Sequence, residues 1–218
     1  NQQSETIHVP SLAKDLLEQI SFEARESEFI DSKSGVSARL SITAYETLLS
    51  TAERRALQSG TETTTVRLSD FMGIIPAITG KVELVYEGEQ EGAAFVAEQL
   101  IGSAIKTFLP GLFPKIEKLT KKIEDTPYTP LMESIFSEGG VVIYDESTET
   151  DYRTSIDAIK PLEELVKKYQ PNIPLNDRYF VKEFVLWALV EYNKLNKQRV
   201  KKGFEFKDPY GAYLSDLK

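Results

Sequence analysis

The chain has 218 residues, with 26 Lys+Arg against 34 Asp+Glu for a formal charge of −8, no cysteine and one histidine. The missing cysteines exclude disulfide scaffolds, thiolate zinc sites and cysteine nucleophiles, and a lone His8 excludes a Ser-His-Asp triad or a multi-histidine metal centre. At 41% hydrophobic and 28% charged residues the composition is globular, with one large core or two small ones, and no apolar run nears the ~20 residues of a membrane span.

The chain opens Asn1-Gln2-Gln3-Ser4 with no initiator Met, so it was either processed or cut from a longer chain; it shows no secretory signal, and a cytoplasmic setting is expected. Ser11, after Pro10, is placed to cap a first helix whose Leu12, Leu16, Ile20 and Ala24 form one apolar face. Residues 31–35 read as a loop. Ser41 is then placed to cap a long helix with a stripe of Ile42, Tyr45, Leu48, Leu49, Ala52 and Ala56, stopping at Gly60. A short helix from Leu68 carries Met72, Ile75 and Ile78 to Gly80. Residues 8–87 therefore read as a small helical bundle, and 88–218 as a mostly helical extension, with the joint at 87–91.

In the extension a long helical pattern runs from 87 to 109 through Ala94, Val96, Ala97, Leu100, Ile101, Ile105 and Phe108, and Pro110 and Pro114 punctuate it. Ile116, Leu119 and Ile123 mark a short amphipathic helix with Lys115, Lys118, Lys121 and Lys122 on its other face. Val141-Val142-Ile143-Tyr144 is a strand after two glycines, and Phe204-Glu205-Phe206 alternates as its partner in a two-stranded ribbon. Between them lie helices around 155–169 and 177–198, the second holding the sole Trp187. The fold class is mainly α. Lys194, Lys197, Arg199, Lys201 and Lys202 gather where that second helix would end, a position the helix dipole favours for cations.

The sequence lacks several ligand-binding signatures. Thr79-Gly80-Lys81 resembles the end of a phosphate loop, but Ile75 replaces the first glycine and Val82 the hydroxyl. The acidic run from Asp145 to Asp151 lacks the turn glycine of a calcium loop and reads as a solvated loop. No metal site is expected, and the acidic total argues against non-specific nucleic-acid binding.

One constellation has more content. Ser34-Gly35-Val36-Ser37-Ala38-Arg39-Leu40-Ser41-Ile42 puts an arginine immediately before a long helix, where the dipole disfavours a cation but free N–H groups favour an anion. Arg39 together with that helix end would suit a phosphate. Otherwise Arg39 pairs with Asp31 or projects into water, and the residues alone leave these alternatives open.

This block resembles the sensor 2 region of AAA+ ATPases of the magnesium chelatase subunit I and MoxR-like branch, where an arginine opens a helix of the small helical lid within a Gly-x-Ser-x-Arg run. Gly35, Ser37 and Arg39 match that run, and the likeness continues through Arg54-Arg55-Ala56, Val66-Arg67-Leu68-Ser69-Asp70 and Gly80-Lys81-Val82-Glu83. Leu112-Phe113, the 177–198 helix and Tyr210-Gly211 resemble the C-terminal extension of the same subgroup. The resemblance implies that residues 8–87 are the lid, that Arg39 touches the γ-phosphate of ATP, and that Gly35 and Ser37 belong to the nucleotide-facing turn. It implies ATP and Mg as cofactors of the parent ATPase, held by a preceding AAA+ core, with none expected in this piece alone. It further implies a ring homo-oligomer that remodels or metallates a client, and a partner protein with an integrin-like domain. The alternative is a nucleotide-independent helical interaction module, such as one of a transcription regulator, in which Arg39 is structural.

Overall fold

The computed structural model describes residues 7–33, 35–116, 126–144, 147–201 and 203–209, and these are mainly helical, as the periodicities predict. Ser34, Lys202, Tyr210-Gly211, Asp145 and Glu146 lie outside the described residues, as does 117–125, which holds most of the expected lysine-faced helix. Two compact units divide the chain, Asn1–Thr107 and Phe108–Lys218. The division comes later than the 87–91 joint read from the sequence, where Tyr86–Glu91 form a helix within the first unit. No described helix is long and apolar enough to cross a membrane.

In the first unit, α1 is Ser11–Glu26, with Pro10 at the N-cap, so Ser11 is the first helical residue rather than the cap. Its Leu12, Leu16, Ile20 and Ala24 are buried as their spacing requires. α2, Leu40–Ser59, starts one residue before Ser41, has Arg39 at its N-cap and stops at Gly60. Its buried line is Leu40, Ala44, Leu48, Ala52 and Ala56, while Ile42 is 60% exposed, so the apolar stripe is rotated from the expected one. Arg55 explains the rotation: a residue that no apolar count selects is buried beside Ala52 and Ala56 to reach an aspartate.

Residues Leu68–Ile74 form a 3₁₀ segment that leads straight into α3, Ile75–Thr79. β1, Ile7–His8, pairs in parallel with β2, Thr64–Thr65. The single helix expected from 87 to 109 is two, α4 (Tyr86–Glu91) and α5 (Ala93–Leu112). Gly92 separates them at φ 98, a backbone state that breaks the helix and that a side chain would strain. α5 passes through Pro110, which was expected to end it. The proline lies so near the C-terminus that the helix loses one backbone bond and closes two residues later.

The second unit contains α6, Thr129–Ser137, which no sequence signal above marks, and then β3, Val141–Ile143. The helix expected around 155–169 is again two. α7, Glu149–Asp157, is N-capped by Thr148, whose Oγ1 accepts from the Asp151 amide at 3.2 Å, and α8 is Lys160–Tyr169. The acidic run is therefore helical from Glu149 onward, with Glu149 and Asp151 in the first turn, where the dipole favours anions.

α9, Leu175–Glu191, ends well before 198, so Lys197, Arg199 and Lys201 do not crown a helix end, while Lys194 stays beside it, its amide donating to Leu189 O at 2.8 Å. Lys197 and Arg199 stand instead on β4, Asn196–Val200, which turns into β5, Gly203–Lys207. The reversal is made at Asn193, whose φ of 56 takes the chain out of the helix. The sheet order is β3-β5-β4, antiparallel throughout. Val141↔Phe206 and Ile143↔Phe204 are the pairing expected of the ribbon, and β4 widens it to three strands. α9 is the centre of this unit: every residue from Phe180 to Leu189 is buried, and Trp187 meets Phe204 edge-on at 5.4 Å.

Candidate functional site

The turn before α2 is built by its backbone. Asp31 Oδ1 accepts from the Lys33 amide at 2.8 Å, and the Asp31 carbonyl accepts from the Gly35 amide at 2.9 Å. Gly35 is dictated by space, since a Cβ there would stand 2.0 Å from the Asp31 carbonyl oxygen. The turn is laced to the segment after α3: the Asp31 amide donates to Glu83 O at 2.9 Å, the Glu83 amide to Gly35 O at 2.8 Å and the Ser37 amide to Lys81 O at 2.9 Å. Ser37 Oγ accepts from the Arg39 amide at 3.3 Å, so Ser37, and not Ser41, satisfies an amide at the entrance to α2.

Arg39 itself occupies the N-cap with φ −93 and ψ 3, and it is exposed. Its guanidinium forms no ion pair or hydrogen bond with a described residue, Asp31 included. Gly35 and Ser37 thus shape the turn, and Arg39 is what the turn presents.

α2 is anchored from below by a buried cation. Arg55 Nε donates to Asp70 Oδ1 at 3.0 Å and Nη2 to Oδ2 at 2.8 Å, a bidentate pair with side chains 7% and 4% exposed. Arg55 Nη1 also donates to Thr64 Oγ1 and Nη2 to Thr65 O, each at 2.8 Å, and Asp70 Oδ2 accepts from the Arg67 amide at 2.8 Å. One network ties α2, β2 and the 3₁₀ segment together.

The second unit carries a charged cleft of about 710 Å³ between α7, α8 and the start of α9. Lys182, 2% exposed, gives Asp157 Oδ1 a bond of 2.5 Å and Glu163 Oε2 one of 2.6 Å. Tyr179 donates to Asp157 Oδ2 at 2.6 Å, and Lys167 and Arg178 reach Glu163 Oε1 at 3.1 and 3.4 Å. Beside it, buried Glu183 accepts from Tyr152 at 2.8 Å.

Burial alone would raise Asp157, but the hydrogen bonds from Lys182 and Tyr179 outweigh it and hold the carboxyl below its ordinary value. Glu163 is held low in the same way by Lys182 and Lys167. Burial and the Asp157 acceptor push the Tyr179 phenol up to about 12. Both acids therefore stay ionised at neutral pH, and neither is poised as a general acid. Sequence reasoning missed this cluster. Its one signal was Lys182-Glu183 set inside the apolar run from Phe180 to Leu189, where each charge had to find a buried partner.

Among the described residues no group of three or more acidic or histidine side chains gathers to hold a metal ion. Comparison with protein-family models, with curated proteins and with solved structures finds no match to this chain.

Proposed function

We propose that the first unit is the lid of an AAA+ ATPase resembling magnesium chelatase subunit I, and that Arg39 senses the γ-phosphate of a nucleotide held by a phosphate-loop core. The observation that carries this reading is the exposed Arg39 at the N-cap of a 20-residue helix, held on a turn fixed by Gly35 and Ser37 yet itself without an ion-pair partner among the described residues. Phosphoryl transfer is accelerated by positioning and charge stabilisation, so a single cation brought to the phosphate acts on rate directly. ATP and Mg belong to the core, whether it lies in the same polypeptide or in another. Loss of the γ-phosphate would release Arg39 and let the lid turn as a body, which in a ring assembly drives work on a client. A ring of copies, an integrin-like partner and a cytoplasmic setting go with the same proposal.

The test is ATP turnover by the assembled ATPase with Arg39→Ala. A loss of about 10²-fold or more supports the sensor role, on the scale of arginine and oxyanion contacts. Unchanged turnover rejects it and leaves a nucleotide-independent interaction module, which the exposed Ile42 one turn along from Arg39 would serve. The 218-residue chain alone, without a phosphate loop, is expected to show no micromolar ATP binding by calorimetry.

A further inference from the structure

We propose that the cleft between α7, α8 and the start of α9 binds a small multivalent oxyanion, a polyphosphate or a polycarboxylate. The site stands apart from the Arg39 reading and does not depend on it. Five cations line the cleft against three acids, although the whole chain carries −8. Its volume of about 710 Å³ falls within the ~300–1,000 Å³ usual for small-molecule sites.

The acids of the cleft are already used. Asp157 accepts from Lys182 and Tyr179, and Glu163 from Lys182, Lys167 and Arg178. Among the lining acids only Glu164 keeps a carboxylate with no described partner. The cations of the walls are not used in the same measure. The Lys160 ammonium forms neither an ion pair nor a hydrogen bond with a described residue. Arg153 gives one bond, from Nε to Glu149 Oε1 at 2.9 Å, and keeps the rest of its donors. Arg178 gives one long bond, from Nη1 to Glu163 Oε1 at 3.4 Å, while its Nε is buried with no partner. A guanidinium side chain only 21% exposed and short of acceptors is an exception to the rule that buried donors are paired. Oxygen atoms in the cleft would supply what it lacks.

The first turn of α9 adds backbone donors beside Arg178. Leu175 and Asn176 line the cleft, their amides have no hydrogen-bond partner among the described residues, and no side chain caps that helix end. Asp177, the acid of that turn, is buried and does not line the cleft. The positive end of a 17-residue helix therefore faces the space in which Arg178 lacks acceptors.

The spare cations come from three helices: Arg153 from α7, Lys160 from the start of α8 and Arg178 from α9. An anion with one charged group would meet one of them, whereas a multivalent anion meets several at once. Arg153 is also held in advance, its guanidinium 5.0 Å from the Tyr179 ring centroid, so less freedom is lost on binding.

Cations at a surface also serve simply to meet water. Charge-matched reversals inside and outside the cleft separate the two roles. The experiment is isothermal titration calorimetry of the 218-residue chain at about 20 mM salt, with sodium tripolyphosphate and, separately, citrate as probes. At least one should bind with a Kd below about 1 mM, and the tighter of the two tells a phosphate ligand from a carboxylate one. Lys160→Glu, at an exposed side chain with no partner to lose, should weaken binding at least ~5-fold. Lys14→Glu, the same charge change on α1, should stay within about 2-fold of wild type. Arg178→Lys keeps the charge, loses the forked donors and should weaken binding about 3-fold or more. Trp187 emission verifies that the second unit is folded in each variant. Binding of neither probe, equal losses in Lys160→Glu and Lys14→Glu, or an unchanged affinity in Arg178→Lys would each overturn the proposal.

Discussion

Arg39 and Lys182 are both cations on long helices, and the fold treats them in opposite ways. Lys182 is 2% exposed and closed in by two carboxylates at 2.5 and 2.6 Å, each of which has further donors. Arg39 faces solvent with no ion-pair partner among the described residues. Arg55 sits with Lys182, since its guanidinium is buried and consumed by Asp70 and the 64–65 backbone and hydroxyl. A charge surrounded in this way stabilises and specifies packing; a charge left outside on a rigid turn is free to meet a ligand. The two treatments predict opposite consequences of substitution, and the ways to break the comparison run from the most to the least destabilising change.

The largest loss should come from Asp70→Ala, which leaves Arg55 buried without its bidentate partner. Removing one member of a buried pair costs about 3–5 kcal/mol, far more than the net worth of the intact pair. Urea denaturation followed by circular dichroism reads this directly, and a midpoint like that of wild type would show that Arg55 is not committed to packing.

Lys182→Ala comes next, at about 2–3 kcal/mol, the scale of lost charge-assisted hydrogen bonds when one acceptor, Asp157, is half-exposed and rehydrates. Adding Asp157→Asn and Glu163→Gln should recover part of that loss, because the variant then no longer holds two carboxylates without their cation. Trp187, the only tryptophan, reports this unit. If the triple variant is less stable than the single one, repulsion between the acids is not what Lys182 relieves.

Acid gives a gentler test of the same cluster. Asp157 and Glu163 titrate below their ordinary values of 3.8 and 4.5 in the folded chain, so their contribution is full above those values and is lost as pH falls through the lower folded ones. At the other end, Tyr179 gives up its proton near 12 when folded and near 10 when unfolded, so its contribution is lost as pH rises through that interval. Melting temperature against pH should therefore fall at both extremes for wild type and fall less steeply for Lys182→Ala on the acid side. Parallel acid limbs would mean that Lys182 does not set the two carboxyls.

What could be read from the sequence divides along the same line. α1, the Gly60 stop, the strand at 141–143 and the helical class follow from periodicity and turn residues, which are local; the alternation of 204–206 named the strand's partner but not its register. The stripe on α2 was misjudged because Arg55 is buried by a partner fifteen residues away, which no apolar count sees. The end of α9 was misjudged because Ala188, Tyr192 and Leu195 continue a helical spacing across a reversal made at Asn193. At the candidate site the Gly-x-Ser-x-Arg spacing located the turn, but the cap was assigned to Ser41 while Ser37 bonds the Arg39 amide. The cluster around Lys182 draws on three helices, so only the misplaced charges in an apolar run hinted at it.

The smallest effect on stability belongs to the residue on which most of the function is proposed to rest. Arg39→Ala removes an exposed side chain that packs no core, and it takes a cation away from a helix N-terminus, where the dipole disfavours it. Stability should therefore stay within about 0.5 kcal/mol of wild type or rise slightly, as surface substitutions do. Thr148→Ala is the control, since it removes the hydroxyl that caps α7 and should cost about 1 kcal/mol without touching the turn that presents Arg39. Melting curves and ATP turnover of the assembled ATPase, measured for both variants, order them in opposite ways. Thr148→Ala should melt earlier and keep most of its turnover at a temperature where it is folded, and Arg39→Ala should melt with wild type and turn over about 10²-fold more slowly. If Arg39→Ala instead melts early and hydrolyses ATP normally, its side chain is held by the fold after all, and the contrast with Lys182 disappears.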